Sequence, residues 1–306
     1  MHSAGQPTRR GLLFPSVGLF LGGAMWGAIW IPIRAIEHAG PQSAWPGFLL
    51  YVCTAVLLLP VLVRSWSQIR QNFWAVASCG LLTGMAFSFY ATSLLLTDVV
   101  RAILLFYLTP IWGTILGVAV LSERLTLWRA LALVAGLGGL LAVLWDGGGV
   151  PWPRNTGDWL ALASGVAWAA GTLQLHRNPS ISVGSQVVAF AWGSLVVTGG
   201  LIVVTGDALG AVPMRSELGA AFPLVLATSL YMVPMLFLTI WPARLLTPGR
   251  VGLLLMSEVI VAVGTAFWLS GEPFGMREAI GTVLILSSAL IEVLGPVFGQ
   301  RKRRVQ

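Results

Sequence analysis

Ten long apolar stretches alternate with short polar or Gly/Pro-rich breaks between Leu12 and Phe298. A helix that crosses a bilayer needs roughly 20 mostly apolar residues, and each stretch has about that length. The stretches cover residues 12–33, 44–63, 73–95, 101–121, 127–145, 158–175, 183–205, 218–240, 249–270 and 277–298. This pattern predicts an all-α integral membrane protein with ten transmembrane helices.

The composition agrees with a fold surrounded by lipid. Hydrophobic residues make up 57% of the chain and charged residues only 9%, which is too little charge to cover a soluble protein. A net charge of +7 could indicate a nucleic-acid partner. Here, however, the basic residues sit in short loops and at the tail, so they report membrane topology. We expect membrane lipid and a small-molecule substrate as partners, and no nucleic acid.

Basic residues divide unequally between the two ends of the predicted helices. Of the 18 Lys and Arg residues, one side carries only Arg34, Arg101, Arg154, Arg215 and Arg277. By the positive-inside rule, both termini therefore face the cytoplasm. Arginine far outnumbers lysine, since Lys302 is the single lysine. That bias favours a bacterial source, and hence a multi-pass protein of the cell inner membrane.

The two halves of the chain repeat a sequence pattern. A shift of 149 positions places Arg101 on Arg250 and Glu123 on Glu272, and a shift of 142 places 23–26 on 165–168. A unit of five helices is odd in number, so its second copy inserts upside down, as in many secondary transporters. The predicted divisions are a cytoplasmic tail (1–11), a first five-helix repeat (12–145), a linker loop (146–157), a second repeat (158–298) and a basic cytoplasmic tail (299–306).

Four short motifs carry a resemblance to a known family. They are Gly23-Ala-Met-Trp26, Leu105-Phe-Tyr-Leu-Thr-Pro110, Leu121-Ser-Glu-Arg-Leu-Thr126 and Ser270-Gly-Glu-Pro-Phe274. In order and spacing they resemble the drug/metabolite transporter superfamily, in its ten-helix EamA-type branch. The resemblance implies a 5+5 inverted-repeat carrier that moves small metabolites, often outward, and it implies no particular substrate. One departure is Val259, which stands where the first half has Pro110.

Glu258 is the strongest candidate for a functional residue. It lies roughly 15 Å from the cytoplasmic end of its predicted helix at 1.5 Å per residue, close to the bilayer midplane. An acid there costs about 2.5 to 3.5 kcal/mol on insertion scales, and such residues usually face a cavity or a relay. We expect either a counter-ion for a substrate amine or a proton-coupling site, since burial favours the protonated form. The alternative is a neutral Glu258 that is hydrogen-bonded to a neighbouring helix, near Ser257 or Thr265.

Aromatic residues deep in the predicted spans suggest a substrate cavity. Trp26 and Trp168 occupy equivalent positions of the two repeats, which favours a cavity lined from both halves. Further candidates for its wall are Trp30, Tyr90, Tyr107, Tyr231 and Ser257. Such a lining favours an apolar or aromatic substrate. The alternative is that these side chains only pack against other helices or lipid.

Prolines and carboxylates near helix ends have expected structural roles. Pro110 and Pro234 each remove a backbone hydrogen bond within a predicted helix and are hinge candidates. Glu123 and Glu272 precede predicted helices five and ten, where a carboxylate can cap backbone N–H groups. Pairs such as Gly23 and Gly27 place small residues on one helix face and allow close helix packing.

Other function classes lack the residues they need. The three histidines lie outside the spans or at a span end, so no buried nucleophile has a base partner. No cluster of His, Cys or carboxylates could hold a metal, and no motif requires a cofactor. We therefore expect a non-enzymatic secondary carrier that exports an amino-acid-like or aromatic metabolite by alternating access. A multidrug exporter, a membrane-embedded enzyme and a lipid-handling protein are the alternatives, and a homodimer is left open.

The topology generates a first prediction. Reporters fused before Met1 and after Gln306 should both report a cytoplasmic location, while tags near Pro151 and Gly210 should report the outside. Protease accessibility in sealed vesicles of known orientation measures this directly. Termini on opposite sides would exclude an even number of spans, and with it the inverted arrangement.

Overall fold

The computed structural model describes residues 9–121, 126–145, 152–178, 180–243, 245–246, 248–272 and 274–303. These residues form helices and connecting turns, with no β-strand among them. The α-helices are α1 (Arg9–Ala28), α2 (Trp30–His38), α3 (Trp45–Leu57), α4 (Leu59–Gln71), α5 (Phe73–Leu96), α6 (Val99–Phe106), α7 (Thr109–Leu121), α8 (Leu127–Leu144), α9 (Thr156–Arg177), α10 (Val183–Thr205), α11 (Arg215–Ala243), α12 (Pro248–Leu269) and α13 (Met276–Arg303). A 3₁₀ turn follows α10 at Gly206–Leu209.

Each of the ten apolar stretches contains helix. Within the described parts of the chain, five segments are long and apolar enough to cross a membrane, or six if the bent pair α3 and α4 forms one span. The five are Leu13–His38, Phe73–Leu96, Val99–Val120, Val183–Leu209 and Arg215–Ala243. The prediction of an all-helical membrane protein is confirmed. The count of ten spans and the division into repeats stay predictions.

The second apolar stretch is not one straight helix. The chain turns by 75° between α3 and α4, immediately before Pro60, which has no N–H to continue the hydrogen-bond ladder. The straight part, Trp45–Leu57, is only about 20 Å long at 1.5 Å per residue, shorter than the hydrocarbon core of about 30 Å. The expectation of a continuous span over 44–63 is therefore corrected, because α4 leaves the direction of α3.

Helices from both ends of the chain interleave in the packed bundle. Helix α1 packs against α11 and α12, and α9 packs against α5, α6 and α7. Helix α3 contacts α10 and α11, α5 contacts α10, and α8 contacts α13. The central core joins residues far apart in sequence, including Leu50, Phe87, Ile103 and Met232. Each half of the chain is thus buried mainly against the other half.

Glycines set the closest helix crossings. A Cβ atom added to Gly193 of α10 would collide with the backbone carbonyl of Gly80 in α5. A Cβ atom added to Gly27 of α1 would collide with the backbone of α12 at Glu258. Backbones approach this closely only where no side chain intervenes. The small residues at Gly23 and Gly27 therefore lie at a helix interface, as their spacing predicts.

The crossing of α5 and α10 yields a prediction. Gly193→Ala should destabilise the protein by about 1 to 3 kcal/mol, because the new methyl group overpacks a backbone contact. Gly200→Ala is the matched control, since Gly200 lies in the same helix and a Cβ there meets nothing within 4 Å. Thermal unfolding of the two purified variants measures the difference. Equal unfolding midpoints would show that α5 and α10 do not cross at these glycines.

Candidate functional site

Glu258 lies near the middle of α12, where this helix crosses α1. The preceding Ser257 donates a hydrogen bond of 2.9 Å to the backbone carbonyl of Phe20 in α1, which fixes the rotation of α12. The Glu258 side chain is half-buried. No Lys or Arg in the described segments forms an ion pair with it. A carboxyl group therefore lies at half the length of an apolar helix without a cationic partner among the described residues.

Tyr107 supplies the polar group that faces this acid. Its hydroxyl lies beside the Glu258 carboxyl group but makes no hydrogen bond of ordinary geometry within the described structure. The indole N–H of Trp112, farther along the same segment, is equally shielded and without such a bond. Buried donors normally have acceptors. The Trp112 indole N–H therefore has hydrogen-bonding capacity available for a ligand, while the Tyr107 hydroxyl faces the Glu258 carboxyl group.

Aromatic rings continue from this acid into the core. Tyr107 contacts Phe106 with ring centroids 5.4 Å apart, and Phe106 lies 4.7 Å from Tyr90. Tyr90 contacts Phe87 at 6.1 Å, and Phe87 lies 4.2 Å from Trp26. These five rings connect α1, α5 and α6. They form an apolar wall next to the polar groups of Tyr107 and Glu258.

Most of the predicted tryptophans, and Tyr231, have their polar groups bound to other residues of the bundle. The indole N–H of Trp26 donates to Thr239 at 2.9 Å, and that of Trp30 donates to Thr265 at 3.0 Å. The Tyr231 hydroxyl donates to a backbone carbonyl of α1 at 2.6 Å. Trp168 is partly buried against the core, and neither described cavity is lined by both Trp26 and Trp168. Their role in one shared cavity stays a prediction.

The hinge and cap candidates occupy distinct places. Pro110 is the second residue of α7, just after the break between α6 and α7, and Pro234 lies inside α11. Glu123 lies outside the described residues. The structure corrects the expected role of Glu272, since α13 begins at Met276 and Glu272 does not cap it. Instead, Gly275 N–H donates to Glu278 at 2.8 Å at the start of that helix.

A buried ion pair joins the N-terminal end of α9 to α6. Arg101 Nε lies 2.9 and 2.8 Å from the two carboxylate oxygens of Asp158, and both side chains are almost fully buried, at 6% and 0% exposure. Arg101 also donates to the backbone carbonyl of Val143. Asp158 accepts further bonds of 2.8 Å from Thr97 Oγ1 and from the backbone N–H of Arg154. The carboxylate is thus fully paired, as burial requires.

A second, more exposed pair lies at the same end of the bundle. Arg34 contacts Glu272 at 2.7 Å, with side-chain exposures of 23% and 14%. Arg34 also donates to the backbone carbonyl of Leu94 at 3.1 Å. The second oxygen of Glu272 accepts from Val99 N–H at 2.6 Å. Glu272 therefore caps α6, although the two are far apart in the sequence.

The two pairs border an open recess of 370 Å³. It is lined by Arg34, Leu95, Leu96, Thr97, Asp98, Arg101, Arg154, Asn155 and Glu272. The sequence analysis used Arg34 and Arg154 only as topology markers and Arg101 also to align the repeats, and it gave Asp158 no role. A signal was present, since Asn155 and Asp158 have the spacing of a capping pair. Asp158 N–H indeed donates to Asn155 at 2.9 Å.

The contrast in burial between the two pairs gives a prediction. Asp158→Asn should cost about 3 to 5 kcal/mol, because it leaves the Arg101 charge buried without a counter-charge. Glu272→Gln is the matched control and should cost less than Asp158→Asn, because its pair with Arg34 keeps contact with solvent. Unfolding midpoints of the purified variants provide the comparison. An unfolding midpoint of Asp158→Asn no lower than that of Glu272→Gln would contradict the buried ion pair of Asp158 with Arg101.

Comparisons with known proteins agree with this arrangement. Residues 13–145, somewhat under half of the chain, match the model of the EamA-like transporter family. No curated protein matches significantly. A solved structure, described only as "Crystal structure of protein", shares the fold with a TM-score of 0.59 at 19% identity, covering 92% of this chain and 98% of its own. The resemblance to the drug/metabolite transporter superfamily, in its EamA-type branch, is therefore confirmed through residues 13–145.

Proposed function

We propose that this protein is a secondary carrier that exports a small amino-acid-like or aromatic metabolite across the cell inner membrane by alternating access. The observation that carries the proposal is Glu258, an acid without a cationic partner among the described residues, at half the length of an apolar helix and beside Tyr107. A solute path through a membrane needs such a polar position. The family match supports a transporter of small solutes rather than an enzyme.

The packing order supports two inverted five-helix halves. In the proposed repeat, α1 corresponds to α9, α3 to α10, α5 to α11, α6 and α7 to α12, and α8 to α13. Helix α1 packs on α11 and α12, and its counterpart α9 packs on α5, α6 and α7. The contact of α3 with α11 is matched by that of α10 with α5. Each such contact has its counterpart, which is expected of a two-fold pseudosymmetric carrier.

The same correspondence holds at the candidate site. Gly23 of α1 lies against Ser257 and Glu258, and the equivalent Gly165 of α9 lies against Phe106 and Thr109. The shift of 149 positions places Thr109 on Glu258. The two crossings thus have the same geometry and different chemistry. Only one half has a titratable group at this crossing. The proposed carrier therefore has a single coupling or counter-ion site.

The groups around the site fit a solute that has separate polar and apolar parts. Glu258 can accept a proton or an amine, while Trp112 offers a buried donor to a carboxylate or carbonyl group. The aromatic wall of Tyr90 and Phe106 suits an apolar side chain. An amino-acid-like aromatic solute combines these features. A highly charged anion would face the Glu258 carboxylate unfavourably.

Alternating access requires some of the helices that meet at the end of the bundle near the recess to separate. The ion pairs join first-half residues Arg34 and Arg101 to second-half residues Glu272 and Asp158. The pair of Arg34 and Glu272 is more exposed than that of Arg101 and Asp158 and therefore costs less to break during each cycle. The buried pair of Arg101 and Asp158 is costly to break and is suited to persist as a pivot.

Glu258→Gln tests the proposed site, because the amide keeps the shape and hydrogen bonding but removes the charge and the titration. In proteoliposomes supplied with radiolabelled tryptophan, pH-gradient-driven transport by this variant should fall at least tenfold if the acid couples protons, with exchange retained. If the acid binds an amine, the apparent affinity should weaken by a similar factor. Glu217→Gln, at the exposed start of α11, is the matched control. Unchanged rate, affinity and pH dependence in Glu258→Gln would overturn the assignment.

A further inference from the structure

Helix α4 is built like a helix that lies at a membrane surface. It turns by 75° away from α3 and is amphipathic. Leu62, Trp66 and Ile69 share one face at a spacing of four and three residues, while Arg64 lies on the opposite face. Such a helix lies in the interface with its apolar face toward the acyl chains. α4 therefore fits the boundary between lipid and water better than a continuation of the α3 span.

An apolar groove of 470 Å³ runs beneath α4, between this helix, α5 and α10. Its lining consists of Leu62, Trp66, Ile69, Phe73, Val76, Ala77, Gly80, Leu81, Val188, Ala189, Trp192, Gly193 and Val196. Gly80 and Gly193 contribute no side chains, and their close contact forms the floor. The groove is thus a permanent feature of the helix crossing rather than a gap between mobile side chains.

Hydrogen bonds hold α4 over the groove. Gln68 donates to the backbone carbonyl of Ser180 at 3.0 Å. Its side-chain oxygen accepts from Ser182 N–H at 3.0 Å and from Ser185 Oγ at 2.8 Å. Three bonds to the start of α10 fix the position of one side chain of α4. The groove therefore keeps its shape without an occupant.

Two arginines and two tryptophans lie on or beside α4, with Arg70 between the lining residues Ile69 and Phe73 and Arg64 on the opposite face of the helix. Arg64 and Arg70 are exposed, and neither forms an ion pair with a described residue. Trp66 and Trp74 are 56% and 81% exposed, which is typical of indoles at the level of lipid headgroups. An apolar groove with unpaired positive charge at its edge is complementary to a lipid that carries a negative headgroup.

We propose that the groove binds one acyl chain of an anionic phospholipid, whose phosphate pairs with Arg70, while Arg64 adds positive potential from the opposite face of α4. A second copy of the chain is a poorer occupant, because a symmetric interface brings the same patch of each copy together and would oppose the same two arginines. The charge count places this surface on the cytoplasmic side, so the lipid belongs to the cytoplasmic leaflet. Only this choice of leaflet depends on the proposed orientation.

Native mass spectrometry of the detergent-purified protein tests the proposal. Titration with palmitoyl-oleoyl phosphatidylglycerol should reveal one tight site that phosphatidylcholine of the same chains does not fill. Arg64→Gln together with Arg70→Gln should weaken phosphatidylglycerol binding roughly 30-fold. This is the change expected when two basic residues near an anionic membrane surface are lost. Arg215→Gln removes an exposed arginine at the far end of the bundle and should change nothing.

The groove itself is tested by filling it. Ala77→Phe should abolish the tight site while Arg64 and Arg70 remain, and Leu81→Trp, at a 48% exposed position, provides a milder filling if the first variant folds poorly. Circular dichroism checks the fold of each. Equal affinity for the two lipids, unchanged binding in the double arginine variant, or a lipid-free dimer in which the groove variants alone become monomeric would each overturn the proposal.

Discussion

A charge buried in an apolar bundle needs a counter-charge, and the contact of Arg101 with Asp158 meets that requirement between the two halves. The carboxylate has no exposed surface and accepts hydrogen bonds from three residues. The guanidinium also reaches α8 through Val143. One ion pair therefore holds α6, α8 and α9 in register. The recess, the Arg34 contact and the start of α6 are all arranged around this point.

The site in the middle of the bundle depends on a different constraint, the close approach of backbones at glycine. Gly23 and Gly27 allow α1 to touch α12 at Glu258, and Gly165 allows α9 to approach the break between α6 and α7. The acid is therefore held by main-chain contacts on one side and faces Tyr107 on the other. Where the first crossing has a carboxyl group, the second has the hydroxyl of Thr109.

The helices were predictable because apolar stretches of span length leave little choice in a membrane. The place of Glu258 near the middle of its helix and the close packing at Gly23 and Gly27 were predictable for the same reason, since both follow from position along a helix. Partners distant in sequence were not predictable. Nothing local indicates that Glu272 caps α6, or that Trp26 is satisfied by Thr239. The turn before Pro60 was not predicted, because the residues on both sides of it are equally apolar. The helix axis nevertheless changes direction there.

If the protein works by alternating access as proposed, the contacts of Glu272 with Arg34 and with the start of α6 must open during transport. A cross-link tests this opening most directly. With Cys53 and Cys79 replaced by alanine, a cysteine pair at Asp98 and Ser270 would place thiols on the first-half and second-half sides of the Glu272 contact without removing either ion pair. A short, cleavable thiol cross-linker should stop transport in proteoliposomes, and its cleavage should restore the initial rate. Transport that continues at the same rate in fully cross-linked protein would contradict the account.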